Sequence, residues 1–405
     1  MGLVHELRLR YPPIILLLAL LSAFPPLATD MYLPALPLLQ REWGVPLVTA
    51  NLTLVIFFVT YCAFLLVYGP LSDRYGRRPP LVVGVSLFIV ACLACGLADS
   101  AAMMIFGRFL QGAGAAASSA IVFAISKDLF TGRQRQRVFI HIGVIVATAP
   151  MIAPIIGGWI VTLVSWRWIF LLQALLGSVA LVGVVRMDES LRPAAEPPTL
   201  GQVAAGYLRL LANHRYILVM LTVSIPCMPV FAFIGGSADL YITRLGFSEQ
   251  VYGYFFGFNA LAFVLAPLAF SRAVHRAPLV RLMPLAFLGM LASALLLVCP
   301  LLPMPWRLTL PMFALTFCYS FCRPAGNNLI LEQVDRDTGA ASSLMVFCHF
   351  MIGSTAMAVF ALDWPDKLAT LALMGMGAVS VSLMLWMVVR RWIAPAAADG
   401  GTAGA

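Results

Sequence analysis

Apolar residues gather in twelve long runs along this chain, at 12–37, 49–72, 79–98, 101–126, 137–162, 166–187, 215–240, 249–271, 280–299, 305–331, 339–360 and 366–392. A hydrocarbon core about 30 Å thick takes roughly 20 apolar residues in a helix, and every run reaches that length. The runs are apolar on all sides and lack the alternation of a strand, which argues for helices and against a membrane barrel. The pattern predicts an all-α membrane protein with twelve transmembrane helices. The longest polar connection, 188–214, contains DESLRPAAEPPTLGQ and separates six runs from six. The expected layout is a six-helix bundle over 1–187, a cytoplasmic linker over 188–214 with an amphipathic end, a second six-helix bundle over 215–393 and a flexible cytoplasmic tail over 394–405.

Composition excludes a soluble domain: 61% of residues are hydrophobic, 11% are charged and mean hydropathy is +0.94. Of the 26 Lys and Arg, only Arg108 and Arg323 lie well inside runs. With the N-terminus in the cytoplasm the others divide 19 inside to 5 outside. That is the bias that orients membrane proteins, and an even helix count then puts both termini inside. The net charge of +9 follows from topology and calls for no nucleic-acid partner. The first run contains Asp30 and lacks a short apolar region ending at a small-residue cleavage site, so a retained helix is expected rather than a signal peptide. The eight Cys fall almost wholly in apolar runs. Cys92 and Cys95 have a CxxC spacing, but no second thiol pair or His cluster accompanies them, so packing roles and no metal site are expected. No GxxxxGK[ST], GxSxG or HExxH stretch occurs, which argues against nucleotide-driven pumping, against an enzyme and against any catalytic residue.

The two halves echo each other. TDMYLP at 29–34 aligns with ADLYIT at 238–243, pairing Asp30 with Asp239 and Tyr32 with Tyr241 in the first helix of each half. SDRYGRRP is echoed more weakly by SRAVHRAP at 271–278. Parallel six-helix halves with a site at the repeat interface are one architecture of alternating-access transporters.

GPLSDRYGRRPP at 69–80 closely resembles the signature loop between helices 2 and 3 of the major facilitator superfamily. GRFLQGAGAAA at 107–117 and APMIAPIIGGWI at 149–160 resemble its drug:proton antiporters, the latter their fifth-helix antiporter motif. ATDMYLPALPLL at 28–39, FAFIGGSADLYITRLGFS at 231–248 and YGYFFGFNAL at 252–261 are similar to the bicyclomycin-resistance (Bcr/CflA) exporters within that group. The resemblance covers nearly the whole chain. It implies a major facilitator fold and proton-driven export without a cofactor. In the same comparison Gly69, Asp73, Arg74, Gly76, Arg77 and Arg78 form a cytoplasmic gate, with Asp73 approaching the helix that begins near Gly339. A solvated, topology-setting loop is the plainer reading. Pro150, Pro154, Gly157 and Gly158 give a bent, small-faced surface for packing against the other half, although Ala153 stands where the family often has Gly.

Ionisable groups inside apolar helices cost about 2.5–3.5 kcal/mol each on insertion scales, which makes each a functional candidate. Asp30 is the first, as a carboxylate for which a proton and a substrate can compete; a structural Asp paired to an Arg or capping a proline break is the alternative. Arg108 and Gln111 are one helical turn apart and share a face. A cation there could stabilise an ionised Asp30, and the resemblance links it to proton transfer, whereas a role in tying helices together is the structural alternative. Asp239 departs from the resembled pattern and reads either as an extra carboxylate for a cation or as a solvated residue near a helix end. His349 stands where the family often has Gln and reads as a hydrogen-bonded imidazole or a substrate contact. Arg323, near Asn327, reads as an anion contact or as a side chain reaching the headgroups. Tyr32, Tyr61, Phe231 and Asn259 complete the candidate substrate-binding set.

The expected function is proton-coupled export of small amphipathic drugs or related compounds from a bacterial inner membrane by a monomer, with substrate, protons and lipid as its partners. Two alternatives stay open on the sequence alone: a dedicated exporter of one metabolite such as a purine, an amino-acid derivative or a siderophore, and a membrane sensor that keeps the fold without transport.

Overall fold

The computed structural model describes residues 2–191, 200–334, 336 and 338–393. The middle of the expected linker and the expected tail at 394–405 lie outside the described residues. Among these the secondary structure is entirely helical. The helices are α1 (Gly2–Asp30), α2 (Leu36–Trp43), α3 (Leu47–Tyr75), α4 (Arg78–Gly96), α5 (Ala101–Leu129), α6 (Gly132–Leu163), α7 (Arg167–Arg186), α8 (Leu200–Ala212), α9 (His214–Ser224), α10 (Met228–Ala238), α11 (Glu249–Ala273), α12 (Leu279–Val298), α13 (Trp306–Leu331), α14 (Thr338–Ala361) and α15 (Lys367–Ile393).

Among the described residues, eleven spans are long and apolar enough to cross a membrane. The tenth predicted run is the exception. Its helix α13 has the length, at 26 residues, but Arg307, Tyr319, Ser320, Arg323, Asn327 and Asn328 dilute its apolar character. It is the twelfth membrane helix on length and on its place between the apolar helices α12 and α14.

The chain separates into two compact units, Met1–Leu200 with Ile242–Gly257, and Gly201–Tyr241 with Phe258–Ala405. In the first, α5 packs on α3 and α4, α4 on α7, and α1 on α6. Close approach is possible because α5 is lined with small residues. A Cβ on Gly112 would stand 2.5 Å from the Phe57 carbonyl oxygen, and one on Gly114 would stand 2.5 Å from the Phe88 nitrogen. Residues 242–257, which the sequence assigns to the second bundle, pack against α6. Gly253 abuts the Pro154 carbonyl and Ile155, Gly257 abuts the Met151 carbonyl, and Trp159 Nε1 donates to the Tyr254 hydroxyl at 3.2 Å. Glycines on α11 facing the Pro150–Gly158 stretch explain why the contact boundary differs from the boundary read off hydropathy.

In the second unit α12 packs on α13 and α15, and α10 on α14. Gly353 lies under the Phe231 ring, and Gly236 leaves no room for a Cβ beside Phe360.

The first membrane span of each half is interrupted at an aspartate, and that of the second half also at a proline. Asp30 is the last residue of α1, followed by a 3₁₀ turn, Leu33–Ala35, and by α2. In the second half α9 gives way at Ile225–Cys227 to a 3₁₀ turn carrying Pro226, and α10 ends at Ala238, where a π-helical turn, Asp239–Arg244, begins. A proline removes an N–H from the ladder, which accounts for the Pro226 break; Pro25 and Pro26 lie inside α1 without ending it.

Candidate functional site

The first unit holds a buried polar cluster at membrane depth. Arg108 on α5 is 0% exposed. Its guanidinium is gripped by three acceptors: Nη1 donates to the Ala28 carbonyl at 2.7 Å and to Gln111 Oε1, and Nε donates to the Thr53 carbonyl at 3.2 Å. The Tyr32 and Phe57 ring centroids lie 4.9 and 4.5 Å from Cζ, a cation–π pair of the kind that offsets part of a buried charge. Gln111 Nε2 donates to Gln173 Oε1 at 2.8 Å, and Gln173 Nε2 donates to the Leu27 carbonyl at 3.0 Å. One continuous chain of hydrogen bonds therefore links α5, α7, α3 and the end of α1. Arg108 Nη2 and both amide atoms of Asn51 are buried without a hydrogen-bond partner among the described residues.

Asp30, 7% exposed, ends the helix whose Leu27 and Ala28 carbonyls this network holds. Asp30 and Arg108 form no ion pair here, and the hydrogen bonds of Arg108 to α1 and α3 fit its other reading, a side chain that ties helices together. Arg108 reaches the backbone two residues earlier: its Nε and Nη1 are taken up by carbonyls and by Gln111, and its Nη2 makes no hydrogen bond among the described residues. The side-chain contact of Asp30 among the described residues is the Thr29 hydroxyl, 3.1 Å from Oδ1, and that hydroxyl also has the Pro25 carbonyl at 3.1 Å. Tyr32 is buried and its hydroxyl lies 3.0 Å from Thr53 Oγ1. Tyr61 is buried one turn from Phe57, the two rings stacked with centroids 6.1 Å apart.

The second unit carries a second group. The repeat-related Tyr241 is buried, with its hydroxyl 2.8 Å from Thr309 Oγ1, repeating the tyrosine–threonine bond of the first half. Asp239, where α10 ends and the π-helical turn begins, is 7% exposed, so of its two readings the solvated one does not fit its burial. His349 on α14 is buried, its Nε2 lies 2.7 Å from the Tyr319 hydroxyl, and the rings of Phe231 and Phe350 stand edge-on to it. Asn259 Oδ1 accepts from Thr316 Oγ1 at 3.2 Å, while its Nδ2 is buried and unpartnered among the described residues. Asn327 is half-buried and Arg323 is exposed.

The signature loop forms a third cluster. Arg77 Nη1 pairs with Asp73 and donates to Ser72 Oγ at 2.9 Å, and its Nε donates to Asp128 Oδ2 at 2.8 Å. Burial works against the Arg77 charge, but the two carboxylates outweigh it and hold the guanidinium protonated beyond its ordinary range. Glu189 receives the backbone N–H groups of Arg77 and Arg78, and Arg78 also reaches the Val185 carbonyl. Gly69 and Arg74 lie on α3, and Arg74 is 5.5 Å from the Tyr75 ring centroid. On α6 the helix runs unbroken through Pro150 and Pro154, and neither Gly157 nor Gly158 has room for a Cβ beside the Met31 and Glu249 carbonyls.

Several residues here were not singled out by the sequence. Gln173 was legible as a lone amide in the sixth apolar run. Asp128, Glu189 and Tyr319 carried no local signal, since their importance comes from partners 30 to 112 positions away.

The profile of the Major Facilitator Superfamily matches residues 18–358. An uncharacterized MFS-type transporter of Bacillus subtilis, YdgK, is 29% identical over 375 residues, 91% of this chain and 93% of its own length. A bicyclomycin resistance protein homolog of Haemophilus influenzae is 30% identical over 264 residues, 65% of this chain and 66% of its own length. The multidrug resistance protein MdtL of Escherichia coli O127:H6 is 28% identical over 227 residues, 56% of this chain and 58% of its own length. Among solved structures, a D-xylose-proton symporter superposes with a TM-score of 0.71 at 15% identity, covering 92% of this chain and 97% of that one. The nucleoside transporter NupG gives a TM-score of 0.71 at 12% identity, covering 93% of this chain and 99% of that one. At such identities the likeness concerns the fold.

Proposed function

The chain belongs to the major facilitator superfamily, as a multi-pass membrane transporter and not an enzyme, and on that premise we propose that it exports small amphipathic compounds in exchange for protons. The observation that carries the reading is Asp30: a buried carboxyl at a break in a membrane helix, with a shared hydroxyl and no cation as its side-chain contact among the described residues. A carboxylate at that depth costs about 2.5–3.5 kcal/mol, and a proton or a cationic substrate removes that cost in turn. Competition of this kind is what antiport requires. Arg108, Gln111 and Gln173 hold the backbone on which Asp30 sits and so act on its position.

The names of the relatives, a bicyclomycin resistance homolog and a multidrug resistance protein, support drugs or similar compounds as the substrate class. Tyr32, Tyr61, Phe231, Asp239, Asn259, Asn327 and His349 are the proposed substrate contacts. Asp73, Arg77 and Asp128 are the proposed cytoplasmic latch. The 19 to 5 distribution of cations supports an inner-membrane protein with both termini cytoplasmic. The reading needs no cofactor. One proton moving inward across 100 mV supplies about 2.3 kcal/mol, enough for a gradient of several tens-fold at roughly 1.4 kcal/mol per decade.

The test uses proteoliposomes loaded with a pH-sensitive dye, with phenicols, bicyclomycin, purines and organic cations added to wild type and to Asp30→Asn. Substrate-evoked proton movement in the wild type, abolished in the variant, is the expected outcome. Solute flux without proton movement, or a variant that moves protons normally, would overturn it.

A further inference from the structure

The transport reading leaves unused a groove on the second unit. It holds about 430 Å³ between α12 and α15, with Pro284 on one wall and Ser380, Leu383, Trp386, Met387 and Arg390 on the other. The α15 positions recur every three or four residues, so they form one stripe along the helix. From Ser380 to Arg390 the stripe is ten residues, about 15 Å at 1.5 Å per residue, or half of a hydrocarbon core about 30 Å thick. The groove is one leaflet deep.

Its polarity is graded along that length. Arg390 stands at one end, exposed and with no ion-pair partner among the described residues. Trp386 is one turn further in, its ring edge-on to Phe287 at 6.5 Å. Leu383 and Pro284 follow. At the charged end α12 also begins: exposed Arg281 follows Val280 in its first turn, where unpaired backbone N–H groups add partial positive charge. Arg391 continues the basic run on α15.

We infer that this groove binds an anionic diacyl phospholipid of the adjoining leaflet, with the headgroup phosphate on Arg390, the glycerol region beside Trp386 and one acyl chain lying over Leu383 and Pro284. Basic pockets between membrane helices suit such headgroups. A wholly apolar solute would leave Arg390 without a counter-charge, and a zwitterionic lipid would bring its own cation against the arginines. One arginine at the membrane surface favours the anionic lipid about fivefold. The inference depends on the embedding of α12 and α15 in lipid and not on proton coupling at Asp30.

The test is quenching of Trp386, isolated as the difference between wild type and Trp386→Phe, for full-length protein in vesicles of brominated-chain phosphatidylglycerol or phosphatidylcholine. Competition between the two lipids is expected to give the anionic one an advantage of about fivefold. Arg390→Gln should abolish that advantage, Arg390→Lys should keep it, and high salt should weaken it in the unmodified protein. Equal quenching by both lipids would make the groove an ordinary lipid-facing seam and overturn the inference. A preference that survives both Arg390→Gln and high salt would overturn it too, as would quenching by neither lipid.

Discussion

Glu189 and Gly76 share one small space. The Glu189 carboxylate accepts the Arg77 N–H at 2.8 Å and the Arg78 N–H at 3.0 Å, and a Cβ on Gly76 would stand 2.5 Å from its Oε2. Gly76 also has φ +93°, a backbone conformation that L side chains rarely adopt. The loop that carries Asp73 and Arg77 is therefore set by a glycine and clamped by a carboxylate from beyond the end of α7.

Gly76→Ala meets both constraints at once. The backbone strain alone costs of the order of 1–3 kcal/mol; displacing an exposed carboxylate adds less, because solvent screens it. The expected outcome in detergent is a clear drop in thermal midpoint. Pairing Gly76→Ala with Glu189→Ala should recover only the smaller part of the loss, because the strain remains.

Glu189 also gives the loop a pH dependence. Burial opposes its ionisation, but the backbone N–H groups of Leu191, Arg77, Arg78 and Ser190 outweigh burial and hold its carboxyl below the usual carboxylate range. A depressed folded-state value means that the stabilisation is present above the unfolded value, about 4.5, and is lost as pH falls through the folded one. Thermal midpoints measured downward from pH 6 should fall more steeply for wild type than for Glu189→Gln. Parallel curves would show that the clamp contributes nothing.

Much of this was legible in the sequence, and what was missed shares a cause. The membrane runs and the one-turn spacing of Arg108 and Gln111 are local facts that hydropathy and helical period expose. The partner of Arg108 is not local. Sequence reasoning weighed Asp30 as a charge partner beside a role in tying helices together, and the guanidinium meets carbonyls, Gln111 and two aromatic rings. Asp239 stayed open between a functional carboxylate and a solvated residue, because a place near the end of a helix does not by itself tell burial from exposure. The allotment of residues 242–257 depended on glycines meeting across α6 and α11, which composition cannot announce.

The hydrogen-bond chain through Gln111 predicts non-additive losses. Gln111→Leu strips an acceptor from buried Arg108 and a donor from Gln173, and unsatisfied buried groups cost about 1–3 kcal/mol each. Gln173→Leu removes the far end of the same chain and its bond to the Leu27 carbonyl. Because both changes break one shared bond, the double variant should lose less stability than the sum of the singles, with a coupling of about 0.5–3 kcal/mol. Strict additivity in a thermal double-mutant cycle would mean that the two amides do not act together.

Two glycines of α6 offer the last comparison, because they share a helix and differ in surroundings. A Cβ on Gly157 would overlap the Met31 carbonyl, a backbone atom that cannot swing aside, whereas a Cβ on Gly143 meets nothing within 4 Å. Gly143→Ala should therefore be neutral or gain up to about 1 kcal/mol from helix propensity. Gly157→Ala should lose about 1–3 kcal/mol from overpacking. Met31 directly follows Asp30, so the displaced backbone is the one that carries the carboxyl. Substrate-evoked proton flux per folded molecule should fall in Gly157→Ala and stay at the wild-type level in Gly143→Ala. Equal flux in the two variants would separate the α1–α6 contact from proton coupling and leave it a packing contact alone.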